Sequence, residues 1–135
     1  MASGGYVSEM VMIDINEEKA LGEALDIRQG MPFCPPVSIY AGSYRDAAGS
    51  NIVILTSGVA RKPGQTRLEL AQINVDITKT IIPNIVRYAP DAIYILVSNP
   101  VDILTYTFHK ISASNSKQSH TIPHFYRHAK KETPT

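Results

Sequence analysis

Between Gly58 and Arg67 the chain reads Gly-Val-Ala-Arg-Lys-Pro-Gly-Gln-Thr-Arg, which crowds the cations Arg61, Lys62 and Arg67 into one loop. Two guanidinium groups at this spacing can clamp carboxylate oxygens bidentately, and the bland alternative is a solvated basic turn. Asp14 closes the apolar run Glu9-Met10-Val11-Met12-Ile13. An acid just past a strand can accept hydrogen bonds from both hydroxyls of a ribose, or can simply complement the positive end of a following helix. In Val97-Ser98-Asn99-Pro100-Val101-Asp102 the amide of Asn99 can bond an oxygen of a substrate or cofactor, or can cap a helix.

These groups are useful only if the fold delivers them to one place. The run from Glu9 to Asp14 predicts a buried parallel strand, and Glu17–Gln29 predicts a helix. Leu21, Ala24 and Leu25 form its apolar stripe, which turns polar at Arg28 and stops at Gly30 and Pro32. Val37–Ala41 and Asn51–Thr56 predict two further strands, the latter buried. Thr66-Arg67-Leu68-Glu69 has capping-box spacing and opens a helix striped by Leu70, Ile73, Ile77 and Ile81, until Pro83 disturbs it. Tyr94–Ser98 predicts the last strand. Asn99 as cap and Pro100 at the first helical position then predict a helix from Val101 to about Lys110. Strands alternating with helices imply an α/β fold with a parallel sheet, whose ligands bind beyond the carboxyl ends of the strands. Asp14, the loop from Ser57 to Arg67, and Asn99 all follow such ends.

The composition is that of one soluble globular domain with one core: 135 residues and a formal charge of +1. Neither nucleic acid nor an acidic or basic partner is suggested by that charge. No stretch approaches the roughly 20 apolar residues of a membrane helix, and no basic and apolar leader opens the chain, so no membrane partner and a cytoplasmic location are expected. Cys34, the one cysteine, has no disulfide partner and no ligand spacing around it. His120, His124 and His128 are spaced by four, but Pro123 interrupts them, and no metal site is expected. Residues 113–135 are rich in Ser, His, Lys, Thr and Pro without an apolar period, which predicts a poorly ordered tail.

Three segments carry a specific resemblance. Val11-Met12-Ile13-Asp14-Ile15-Asn16, Lys62-Pro63-Gly64-Gln65-Thr66-Arg67-Leu68 and Val97-Ser98-Asn99-Pro100-Val101-Asp102-Ile103-Leu104-Thr105-Tyr106 occur in the order and spacing of the lactate/malate dehydrogenase family. The chain resembles that family from about Glu9 to Ser112, and residues 1–112 are accordingly expected to form a partial NAD-binding domain. The resemblance implies NAD as cofactor and a small 2-hydroxy or 2-oxo acid as substrate. It makes Asp14 the adenosine-ribose ligand and sets Lys19, Tyr44, Gly58, Val59, Thr80, Val97 and Ser98 at cofactor-lining positions. Arg67 resembles the catalytic loop arginine that closes over substrate and polarises its carbonyl. Asn99 resembles the amide at the nicotinamide end, shared by cofactor and substrate, and Asp102 follows it at a substrate-side position. Arg61 stands at the family's substrate-discriminating position. A guanidinium there suits the second carboxylate of oxaloacetate, yet the surrounding Lys62–Leu70 resembles bacterial lactate dehydrogenases, some of which also carry Arg.

The same resemblance implies what these residues do not contain. A dinucleotide fold begins with a strand and a Gly-x-Gly-x-x-Gly turn about 20 residues before the ribose acid. Counting back from Asp14 passes Met1, and Met1–Ser8 resembles the end of the family's first helix. The expected fold is therefore a partial Rossmann-type parallel sheet lacking its first strand and glycine-rich turn. No segment resembles the one that bears the family's catalytic histidine, its aspartate partner and its carboxylate-binding arginine. The expectation is a fragment of an NAD-dependent L-lactate dehydrogenase of glycolysis, inactive alone. The alternatives are a malate dehydrogenase fragment, or a non-catalytic interaction protein that uses its exposed sheet to join a full-length relative or a complementary fragment; the partner states expected are a homo-oligomer or association with a complementary fragment.

Overall fold

A computed structural model describes residues 6–30, 36–115 and 125–127. The chain divides into two compact units, Met1–Ala48 and Gly49–Thr135, where composition suggested one core. In the first unit, strand β1 (Glu9–Met12) leads into helix α1 (Glu17–Gln29) and returns to strand β2 (Ser38–Ala41), followed by a 3-10 turn at Tyr44–Ala47. β1 and β2 pair in parallel from Glu9 opposite Ser38 to Met12 opposite Ala41. The Asn16 side chain caps α1 by accepting from the Lys19 N–H at 3.0 Å. The helix buries Ala20 and Ala24, and Ala24 packs with Ile39 in a cluster joined by Met10, Met12, Ile27 and Val37. Leu21 and Leu25, expected on the buried stripe, are 52% and 44% exposed. The true face, Ala20-Ala24-Ile27, is rotated by one residue, about 100° around the axis.

The second unit runs from strand β3 (Ile52–Leu55) through helix α2 (Arg67–Tyr88) and strand β4 (Ile93–Leu96) to helix α3 (Val101–Asn115) and a short strand β5 (Phe125–Arg127). Its sheet is parallel in the order β3-β4-β5, with Val53 opposite Tyr94 and Leu55 opposite Leu96. Tyr94 and Leu96 are buried, and the Tyr94 ring meets Phe108 of α3 with centroids 4.7 Å apart. On the other face Ile52 and Ile54 remain 49% and 38% exposed, so β3 is not the buried strand its composition suggested.

Helix α2 does not end near Pro83. It continues to Tyr88 because Ile82, Ile85 and Val86, on both sides of the proline, are buried. A mid-helix proline costs about 3 kcal/mol, while each buried side chain of this size returns roughly 1.5–3 kcal/mol. The buried face of α2 is Ala71, Asn74, Thr78, Ile82 and Ile85, again one residue round from the expected stripe. Helix α3 begins at Val101 with the Pro100 carbonyl accepting from the Leu104 N–H at 3.1 Å, so Asn99 does not supply the first helical acceptor. It extends to Asn115, past both the expected end at Lys110 and the boundary expected at residue 112. β5 is a regular element inside the stretch expected to be a poorly ordered tail. Residues 116–124 and 128–135, with His120, His124 and His128, lie outside the described residues, as does Cys34.

Each unit has its own parallel sheet, β1-β2 in the first and β3-β4-β5 in the second, as expected of an α/β fold with parallel strands.

Candidate functional site at the strand ends

In the first unit the site residues gather where β1 gives way to α1. Asp14 lies two residues past the strand, and its Oδ1 accepts the Asn16 N–H at 2.9 Å. Its Oδ2 is 4.0 Å from Lys19 Nζ, with both side chains well exposed. Such a pair contributes little stability. The arrangement leaves a carboxylate oxygen facing solvent next to a cation, at the start of a capped helix. Tyr44, on the turn after β2, is half-buried. Beside it Asp46 accepts from both the backbone N–H and the hydroxyl of Ser43, bonds that hold its carboxyl below the usual aspartate range.

In the second unit the residues after β3 and β4 are tied together. The Val97 N–H donates to the Leu55 carbonyl at 3.0 Å, extending the strand pairing by one bond. Ser98 Oγ then donates to the Ser57 carbonyl. Asn74, buried in α2, accepts the Val59 N–H through Oδ1 at 2.9 Å and donates through Nδ2 to the Asn99 carbonyl at 2.8 Å. Gly58 passes over that carboxamide with φ of +151°, and a β-carbon there would stand 3.1 Å from Asn74 Oδ1. Gly58, Val59, Val97, Ser98 and Asn99 therefore form one cradle at the carboxyl ends of two neighbouring strands.

The basic loop hangs from the same cradle. It is folded on itself: Gln65 N–H donates to the Lys62 carbonyl, Lys62 N–H donates to Gln65 Oε1, and Arg61 Nε donates to the Gln65 carbonyl at 2.8 Å. Gly64, with φ of +81°, turns the chain into α2. The expected capping box is present, with the Thr66 hydroxyl accepting from the Glu69 N–H at 3.1 Å and the Glu69 carboxylate accepting from the Thr66 N–H at 2.8 Å. These bonds lower the Glu69 pKa below its ordinary value of 4.5. Arg67 is the first residue of α2, exposed, and makes no hydrogen bond or ion pair among the described residues. Its guanidinium is available to a ligand.

Two expected residues stand apart. Thr80 lies thirteen residues along α2 from Arg67, about 20 Å at 1.5 Å per residue, and its hydroxyl donates to the Asp76 carbonyl. Asp102 sits exposed in the first turn of α3. Asn74 was not foreseen from the sequence. A polar residue inside an otherwise helical apolar pattern was the available signal, but its partners lie 15 and 25 positions away.

An NAD-type group can be tested against each half. The exposed Asp14 carboxylate is an acceptor suited to ribose hydroxyls, and the cradle presents Gly58 and Val97 as exposed residues. The donor and acceptor types fit. Among the described residues no three His, Cys, Asp or Glu side chains cluster as metal ligands, and no helix is long and apolar enough to cross a membrane.

Comparison with known proteins gives a consistent result. Residues 1–120 match the family described as lactate/malate dehydrogenase, NAD binding domain. L-lactate dehydrogenase of Thermoanaerobacterium saccharolyticum is 48% identical over 112 residues, and L-lactate dehydrogenase 1 of Clostridium acetobutylicum is 52% identical over the same length. In each case the match covers 83% of this chain and 36% of the relative, so the chain spans about a third of the length of these curated relatives. The minor L-lactate dehydrogenase of Enterococcus mundtii superposes with a TM-score of 0.79 at 46% identity, over 84% of this chain and 36% of that one. The malate dehydrogenase of Picrophilus torridus superposes with a TM-score of 0.73 at 33% identity, over 78% and 35% of the two chains.

Proposed function

The chain belongs to the lactate/malate dehydrogenase family, in its NAD-binding domain, and we propose that it is the cofactor-facing part of an NAD-dependent L-lactate dehydrogenase that does not turn over alone. The observation that carries this reading is the cradle of Gly58, Val59, Val97, Ser98 and Asn99, tied across two strand ends with a cationic loop beside it. Parallel α/β sheets bind dinucleotides at such ends. Lactate is favoured over malate because the relatives near 50% identity are named L-lactate dehydrogenases.

The roles follow from chemistry. Asp14 accepts ribose hydroxyls through its solvent-facing oxygen, Lys19 balances its charge, and Tyr44 lines the same half. Gly58, Val59, Val97 and Ser98 give the dinucleotide a bed of backbone and small groups. Thr80 is the weakest member of the cofactor set, since its hydroxyl is spent on its own helix. When bound, NAD supplies the hydride acceptor. Arg67, exposed at the start of α2, reaches the substrate carbonyl, where its charge is worth most as negative charge develops on oxygen. Asn99 orients that oxygen's neighbourhood, and Asp102 borders the substrate side. Arg61 meets the variable group of the substrate once its bond to the Gln65 carbonyl opens.

Titration of the purified chain with NADH, followed by its fluorescence, together with an assay of pyruvate reduction, tests the proposal. Weak saturable binding without turnover is the expected result. Turnover near that of a complete enzyme would overturn the fragment reading, and absence of any binding would overturn the cofactor reading.

A further inference from the structure

Asn74 is only 3% exposed, at the eighth position of a 22-residue helix whose buried face is otherwise small or apolar. Burying a carboxamide is costly unless both its ends are satisfied, and here both are. The Val59 N–H can only donate and the Asn99 carbonyl can only accept, so the two partners fix which end of the amide faces which loop. An aliphatic side chain would fill the same space without desolvating a polar group. The carboxamide therefore has a different use, and the identity of its partners points to it: Val59 follows β3, Asn99 follows β4, and Asn74 joins the two from α2, beside the direct tie from Ser98 Oγ to the Ser57 carbonyl. Gly58 belongs to the same device, because its φ of +151° disfavours other residues and a β-carbon there would crowd the amide, 3.1 Å from Asn74 Oδ1.

We propose that Asn74 is a positioning residue, whose carboxamide sets the Gly58–Val59 backbone and Asn99 in register so that the cofactor-facing and substrate-facing groups after β3 and β4 are presented together. The proposal rests on the reading of those segments as an NAD and substrate cradle. Asn74 touches neither ligand; it acts through the two loops.

The test uses the isotopically labelled chain and two variants. Asn74→Leu removes both bonds. Asn74→Asp keeps the acceptor for Val59 and loses the donor to Asn99. In Asn74→Leu the Val59 amide should exchange at least about fivefold faster, as expected for loss of one net hydrogen bond, and the Asn99 carbonyl resonance should move. In Asn74→Asp the Asn99 carbonyl should move while Val59 stays protected. The amide of Leu96 in β4 serves as the internal reference for retained folding, and a residue with a merely structural role would change reference and loop amides alike. NADH should bind several-fold more weakly to both variants. Unchanged Val59 exchange in a folded Asn74→Leu chain, or loss of Val59 protection in folded Asn74→Asp, overturns the proposal. If Asn74→Leu fails to fold, the split between Val59 and Asn99 in Asn74→Asp decides alone. Failure of the wild-type chain to bind NADH counts against the cofactor reading, and the exchange and carbonyl signatures still decide whether Asn74 positions the loops.

Discussion

Replacing Gly58 by alanine should destabilise the second unit while leaving the first intact. Gly58 has φ of +151°, and an added β-carbon would meet Asn74 Oδ1 at 3.1 Å and Cγ at 3.3 Å. Holding a non-glycine residue in such backbone costs on the order of 1–3 kcal/mol. Relief by pushing Asn74 away sacrifices the bond from Val59, about 1 kcal/mol. The sum is about 2–4 kcal/mol, a factor of roughly 30 or more in the folding equilibrium. Gly22 is the matched control: it lies within α1, and a β-carbon there meets nothing within 4 Å. Gly22→Ala should stabilise the first unit by about 0.5–1 kcal/mol, because alanine loses less freedom on entering a helix. Amide exchange read separately in the Ile39 and Tyr94 cores distinguishes the units. A Gly58→Ala chain within about 0.5 kcal/mol of wild type, the range of an inert surface substitution, would refute the account of the glycine and of the amide beneath it.

Other consequences can be checked in the same preparations. Burial pushes the Tyr94 phenol up from 10.0 to about 12. Its contribution to stability is therefore full below pH 10 and lost as pH rises from 10 towards 12; an ultraviolet titration should find a tyrosine, lost in Tyr94→Phe, that ionises well above 10. Tyr94→Phe should remove that alkaline transition and cost about 1 kcal/mol, since the Ala89 carbonyl would keep only a 3.4 Å bond from Ala92. Glu69 has a lowered pKa, so its capping contribution is present above 4.5 and disappears as pH falls through the depressed folded value. Thr66→Ala should weaken the helix start by about 1 kcal/mol, seen as faster exchange at Glu69. Ile54→Lys should reduce concentration-dependent light scattering, because Ile52 and Ile54 leave one face of a parallel sheet bare. In a full-length relative carrying this segment, Arg61→Gln should shift the pyruvate-to-oxaloacetate preference at least about tenfold towards pyruvate, whereas Arg67→Gln should lower kcat for both.

What the sequence disclosed depended on how far apart the cooperating residues lie. The α1 limits, Glu17–Gln29, and the Thr66–Glu69 box are local in origin, and both are found where the residue types put them. The buried faces of α1 and α2 are not local, and both are displaced by one residue from the expected stripes, backwards along the chain in α1 and forwards in α2. Apolarity pointed to Leu21, Ala24 and Leu25 in α1 and to Ile73 in α2; Ala24 is buried as expected, but the faces that pack are Ala20-Ala24 and Ala71-Asn74-Thr78. Small residues let a helix approach its neighbours closely, and a polar residue joins a buried face when its partners satisfy it. Those partners are invisible along the chain: Thr78 uses the Asn74 carbonyl one turn back, but Asn74 needs Val59 and Asn99.

The same reasoning explains why the strand-end motifs were readable and the residue joining them was not. Asp14 and Asn99 follow apolar strand runs and Arg67 stands at the end of a cationic stretch, so local residue types single them out, although each also has an ordinary reading as a helix-dipole, cap or turn residue. Asn74 has an ordinary position in a helical pattern, and only the meeting of β3 and β4 in parallel register gives it a donor on one side and an acceptor on the other. If that geometry, and not helix packing, is what selects asparagine, then exchanging Thr78 for valine should be tolerated far better than exchanging Asn74 for leucine. The Thr78 hydroxyl bonds only within its own helix, where the backbone acceptor keeps its helical donor. Comparable losses of Val59 protection in Thr78→Val and Asn74→Leu would mean that the buried face acts as a block, with no special place for the carboxamide.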